Sequence, residues 1–493
     1  MKELPPMILL PLLSTLFLSQ GLHAQVQDGL DSEYEYGDQY GQRYEDVMTN
    51  ISDANYGTFD AHYPDDPVKI LNHVRRERFY LVLPRVMRDR EIDMWIHIIR
   101  PWAWGGTDPL RYEFGTKSAV LVFTDRGGDQ IEKVVFQGEV QDPGAYDIVG
   151  ERYRYQSLQD YELMDYAEAN QGALVESELA LRFEGLGEFV SERDPRRIAV
   201  NYIDTLSVAE GSETFTMALG DGISYTDYVE LTRALGEIYA RRMISAENLI
   251  LDYLSRRVAA EVVLNGARGY NKVEDGSERF EKISAGVTTL ADIGGGPAID
   301  KNGNQHRNPD YVIQRGDLIG DCSGFFWYCG YVLRKNETTL PDHIKEFWIQ
   351  NRRVREILKK NVRLGMTGGE MLDLLAEKLE AAGFIYTDYQ EYNKYVSDPD
   401  KMQVHIDMHA EGKGILAPRI SPMGPRWHWD MDLQLFHMFA VEYMIYQRVE
   451  QWDRANNFTG RRLYAAFHDG GIITSRGMEI PYPDHSNKIQ IIQ

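Results

Sequence analysis

Apolar and polar positions alternate differently in successive parts of the chain. At the start, Lys2 precedes an apolar run from Met7 to Leu18, broken by Pro11, and then Leu22-His23-Ala24 ahead of Gln25. A positive residue, a short apolar core and a small-residue cut site predict a secretory signal peptide over residues 1–24. The run is too short and too interrupted for a permanent anchor, and no later segment predicts a membrane span. Residues 25–65 then carry Asp, Glu, Tyr and Gly with little apolar periodicity, which predicts a weakly ordered acidic lead-in.

Regular patterning begins near Val68. A basic helix over Ile70–Arg78 leads into Phe79-Tyr-Leu-Val-Leu-Pro84. Ile92–Ile99 and Ala119–Phe123 are strand-like in their β-branched and aromatic content, with Thr124–Gly128 as a turn. Arg197–Tyr202 predicts another buried strand and Thr226–Tyr239 a helix, so residues 66–245 are expected to form an α/β domain. Glu247–Asn265 predicts one long helix opening a second domain over residues 246–493. Residues 294–311 predict a polar, Gly-rich loop, and Val362–Gly383 an amphipathic helix with Thr367-Gly-Gly-Glu370 near its start.

A chain of 493 residues is long enough for two or three cores. The net charge of −23 argues against a nucleic-acid backbone or an anionic membrane as partner. The only cysteines are Cys322 and Cys329, which leaves room for one bridge across a short hairpin and excludes a disulfide framework. There is no Ser nucleophile elbow, no phosphate-cradling Gly-rich loop after a strand and no CxxC pattern.

Three stretches carry the chemistry: Ile313-Gln-Arg-Gly-Asp-Leu-Ile-Gly-Asp-Cys-Ser-Gly324, His405-Ile-Asp-Met-His-Ala-Glu-Gly-Lys-Gly414 and Phe439-Ala-Val-Glu-Tyr443. In this order and separation they resemble the metal-binding core of the pita-bread hydrolases, the aminopeptidase P, prolidase and creatinase family. Leu83–Trp95, Val120–Gly127, Asn201-Tyr202 and Asp221–Tyr225 are similar to the N-terminal domain of the same family. The resemblance implies an α+β chain with a creatinase-like α/β domain followed by a C-terminal pita-bread domain. It also implies a peptide or small-molecule substrate and a homodimer.

For a metal pair it implies two Asp, one His and two Glu ligands, whose hard oxygens generate a hydroxide nucleophile. The His matches His409, with His405 as its neighbour, and the first Glu matches Glu442. The first Asp slot falls on Cys322, with Asp321 one place away and on the opposite face unless a bulge restores it. The second Asp slot holds Arg334, and the last Glu slot falls between Ala466 and His468, with Asp469 off register. Arg-Trp-His-Trp429, with Trp427 and His428, lies where relatives close the pocket over the substrate.

A metal site dismantled in this way leaves three readings. One is a periplasmic or secreted peptidase homologue that keeps the fold without the reaction and holds no metal. Another is a metal-free, creatinase-like hydrolase of a small amide or amidine, with His306 and Glu442 as its acid/base pair. The remaining one is a single Zn²⁺ held by His409, Glu442 and His468, with Cys322. Glu442 lies among apolar residues, so a partner is required, Arg334 or His409 being the candidates.

Overall fold

The computed structural model describes residues 67–100, 108–116, 118–150, 183, 185–203, 221–261, 280–320, 329–393, 395–396, 398–410, 418–424, 428–452, 462–480 and 489–493. The expected signal peptide and acidic lead-in, together with Asp321, Cys322 and Trp427, lie outside them. Among the described residues no helix is long and apolar enough to cross a membrane.

The first half is built on a mixed sheet. Its strands are β1 (Met94–Ile99), β2 (Ala119–Asp125), β3 (Ile131–Gly138), β4 (Ile148–Val149), β5 (Ile198–Val200) and β6 (Met243–Ser245), in the order β4-β3-β2-β1-β5-β6. The unbroken apolar run of β1 is buried along its whole length, as expected for a strand covered on both faces. Met94, Ile96 and Ile98 face one core, whereas Trp95 and Ile99 face another. The first core is closed by the helices Leu186–Arg193 and Tyr225–Ala240, the second by Pro67–Glu77, Leu83–Asp89 and Glu247–Ser255.

The long helix expected from Glu247 to Asn265 stops at Ser255. Arg256 turns to an extended conformation, bridges to the backbone of His437 and buries its guanidinium between Asp89, at 2.9 Å, and Gln434. Pairing the buried Arg256 Nη2 with Asp89 and Gln434 outweighs the intrinsic helical preference here, which is worth only tenths of a kcal/mol per residue. The break also seats Arg78, whose side chain ion-pairs with Glu113 at 3.1 Å and Glu261 at 3.0 Å and reaches the carbonyls of Tyr253 and Arg256. Leu435, Phe436, Met438 and Ile472 join the same core from the far end of the chain. The two halves therefore share one apolar junction.

The second half has two sheets. In the first, β7 (Ala298–Ile299), β8 (Gln305–His306), β9 (Leu318–Ile319) and β10 (Cys329–Val332) join the last strand β17 (Ile489–Ile492), in the order β17-β10-β9-β7-β8. The stretch expected as a polar loop thus contains the β7–β8 hairpin. Asp300 makes it possible by accepting hydrogen bonds from the backbone N–H groups of Asn302 and Asn304. The other sheet contains β11 (Ile385–Tyr386), β12 (Gln403–Ile406), β13 (His409–Ala410), β14 (Met438–Arg448), β15 (Arg462–Thr474) and β16 (Gly477–Glu479).

Two helices cover this sheet. One, Asp342–Asn361, has no counterpart in the sequence reading. The other, Gly368–Ala381, falls inside the expected Val362–Gly383 span and opens with a capping box between Thr367 and Glu370. Its first residue must be glycine on steric grounds, because an added Cβ would collide with the carbonyl of Arg419. The α+β class expected from the sequence is the class observed.

Candidate functional site

The registers of β12 to β15 decide which side chains meet. His405 pairs with Met444, His409 with Ala440, and Glu442 with His468. Directly paired residues and every second residue share a face of an antiparallel sheet. One face therefore carries Val404, Ile406, Phe439, Val441, Tyr443 and Ile445, all packed into the helix-covered core. The opposite face carries His405, His409 and Glu442, with position 468 across from Glu442. Along the backbone, Asp469 pairs with Val441.

Asp407 lies between the two histidines, in the same alternation. Its backbone N–H donates to the Glu442 carbonyl at 2.9 Å, which places the two carboxylate residues across from each other. Two like charges so placed need cations. Asp407 receives Arg419, whose Nε and Nη2 both donate to Oδ1, at 3.0 and 2.6 Å. Glu442 receives His409, with Nε2 at 3.3 Å from Oε2. The sequence reading missed Asp407 and Arg419. The signal available for Asp407 was the period of two in His405-Ile-Asp-Met-His409, which puts three polar groups on one face of a strand.

The two imidazoles are shifted in opposite directions. Burial pushes the His405 imidazole below its ordinary value. Its Nδ1–H donates to the Thr387 carbonyl at 3.0 Å, so Nε2 carries a lone pair, and that atom is buried without a hydrogen-bond partner. The hydrogen bond with Glu442 raises the His409 imidazole, against the opposing effect of burial, and the Ala410 carbonyl assists it at 3.0 Å from Nδ1. Both ring nitrogens of His409 face oxygen acceptors, an environment that favours the imidazolium.

Among the described residues, the donors on this face are already engaged by the chain itself. A metal ligand must offer a lone pair, and His409 directs both nitrogens at acceptors. Asp407 is engaged by a guanidinium, and the paired strand positions Ala440, Met444 and Ala466 offer no oxygen donor. Among the described residues no group of His, Cys, Asp and Glu is placed to hold a metal. Cys329 is buried in a disulfide, and the only other cysteine in the sequence is Cys322.

The other predicted site residues fall elsewhere. Arg334 is about half exposed and lies 3.8 Å from Glu337, so of the two candidate partners for Glu442 the structure provides His409. His306 pairs with Asp300 at 3.2 Å and stacks on Tyr311, ring centroids 3.9 Å apart. The Tyr311 hydroxyl donates in turn to Asp317 Oδ2 at 3.0 Å. His306 and Glu442 thus each have a partner of their own, in the pairs Asp300–His306 and His409–Glu442. His428 is buried, and its carbonyl accepts from the Arg419 N–H at 3.3 Å, next to the site but through its backbone.

No protein-family profile matches the chain, and no curated protein does. Solved structures do resemble it. An X-Pro aminopeptidase from Thermotoga maritima MSB8 superposes with a TM-score of 0.43 at 12% identity, covering 83% of this chain and 100% of its own. An Xaa-Pro dipeptidase from Bacillus anthracis gives 0.40 at 13%, covering 85% and 99%. A prolidase from Pyrococcus furiosus gives 0.34 at 13%, covering 80% and 98%. At these identities and TM-scores the likeness says nothing of the chemistry of this chain.

Proposed function

We propose that this protein is an exported pita-bread homologue of the Xaa-Pro peptidases that does not run dinuclear metal hydrolysis. One observation carries the reading. On the sheet face that carries His409 and Glu442, Asp407 is neutralised by Arg419 and Glu442 by His409. The chain already supplies cations to both carboxylates, and a fixed guanidinium beside them repels a divalent ion. The face then serves to bind a ligand, in an assembly expected to be a homodimer.

A second reading has its own support. His409 is raised by Glu442, and His405 is lowered by burial and has an unpartnered Nε2. Two imidazoles shifted in opposite directions, on successive strands and the same sheet face, supply an acid and a base. This is the composition of a metal-free hydrolase of a small amide or amidine.

The deciding experiment is elemental analysis of the purified chain after equilibration with Mn²⁺, Co²⁺ or Zn²⁺ and desalting, with an Xaa-Pro peptide assay in parallel. No retained metal pair and no peptide cleavage are expected. Two ions per chain with cleavage would refute the proposal. Metal-free turnover of an amide or amidine, abolished by Glu442→Gln, would select the second reading.

A further inference from the structure

A separate cavity of about 440 Å³ opens beside the β7–β8 hairpin and the turn before β9, and no residue of the His409–Glu442 site lines it. Its lining includes Lys301, Arg315 and Lys335, all of them exposed. Among the described residues none of these cations has a carboxylate partner. Arg315 instead donates through Nη1 to the Leu333 carbonyl at 2.8 Å. In a chain of net charge −23, such a gathering of unpaired cations is not a by-product of composition.

The fold holds the cations together. Lys301 sits in the hairpin turn that Asp300 closes by accepting from the N–H groups of Asn302 and Asn304. Gly316, at φ +95°, lets Lys301 and Arg334 approach one another: a Cβ placed on this glycine would lie 2.9 Å from Arg334 Nε and 3.3 Å from Lys301 Cβ. The bond to Leu333 fixes Arg315 at the end of β10, where Arg334 and Lys335 follow. Arg334 has Glu337 only at 3.8 Å. Like charges held this close repel, and a bound anion relieves that repulsion.

Two carboxylates also line the cavity, and both are engaged by the chain. Asp300 accepts from the backbones of Asn302 and Asn304, from the Asn304 side chain and from His306. Asp317 is 1% exposed and accepts from the Tyr311 hydroxyl at 3.0 Å and the Gln314 N–H at 2.7 Å. The charge that a ligand can touch is therefore mainly that of the cations.

We infer that the cavity binds a small organic anion carrying two or more negative charges, a phosphate monoester or a di- or tricarboxylate, held by Lys301, Arg315 and Lys335. A lone carboxylate neutralises one cation and leaves the others repelling. A multivalent anion answers several at once. The volume lies near the lower end of the range for small-molecule sites, so it suits a compact ligand.

The test is isothermal titration of the purified chain, at low ionic strength, with citrate, glycerol phosphate and acetate. Citrate or glycerol phosphate is expected to bind saturably, the tighter of the two showing whether carboxylate or phosphate is preferred. Acetate should bind at least roughly tenfold more weakly, and added salt should weaken every interaction because the cations are exposed. The exposed double variant Lys301→Ala with Lys335→Ala should lose roughly tenfold in affinity, the scale of two surface charge pairs. Lys360→Ala with Lys378→Ala removes the same charge outside the cavity lining and should leave binding unchanged. Absence of saturable binding by both multivalent anions would overturn the inference. So would acetate binding as tightly as they do, or equal losses in the two double variants, which would reduce the effect to net charge.

Discussion

Glu442 on β14 faces His409 on β13 at 3.3 Å, a carboxylate held by an imidazole of its own chain. The hydrogen bond with Glu442 raises the His409 imidazole above its ordinary 6.5. A raised folded-state value contributes stability that is fully present below about pH 6.5, the unfolded value, and is lost as pH rises through the folded value. The difference in urea midpoint between the native chain and His409→Gln should therefore be largest near pH 6 and shrink towards pH 9. The His409 imidazole resonance should titrate higher in the native chain than in Glu442→Gln. A pH-independent midpoint difference, or identical titrations, would remove the ion pair from the account.

Arg419 is the other fixed cation of the face, donating twice to Oδ1 of the buried Asp407. Arg419→Met leaves that carboxylate buried without its partner. Removing one member of such a pair costs on the order of 3 kcal/mol, and the double change Arg419→Met with Asp407→Leu should recover much of the loss. Chemical denaturation of the two variants measures this directly. If the single variant is as stable as the native chain, the guanidinium is not neutralising Asp407.

Arg78 joins the two halves through Glu113, Glu261 and the Tyr253 and Arg256 carbonyls, with its side chain 1% exposed. Arg78→Ala should destabilise the chain by about 3–5 kcal/mol through the stranded carboxylates. Because its contacts span both halves, thermal unfolding of the variant is expected to separate into two transitions. A single unchanged transition would show that the apolar junction alone couples the halves.

Much of this architecture can be read from residue order. The apolar run of β1, the capping pair Thr367–Glu370 and the strand around Glu442 are local signals, set by side-chain period and capping chemistry within a few residues. Local sequence also required a partner for Glu442, since its apolar neighbours make an unpaired charge there too costly. It did not distinguish His409 from Arg334, because a strand pairing separated by many residues leaves no trace in either strand alone.

Tertiary structure decided the rest. The helix opened at Glu247 ends at Ser255 because the Arg256 guanidinium finds its acceptors only after the chain has folded back on Asp89 and Gln434. Arg419 reaches Asp407 from a different segment, and Asp317 is left with an unpaired oxygen only once the hairpin and the following turn have closed around it. The sequence by itself determined the α+β order of elements and the set of polar groups carried into the second half. Which groups neutralise one another, and where one is left open, was decided by long-range register and burial, because charges pair across space and not along the chain.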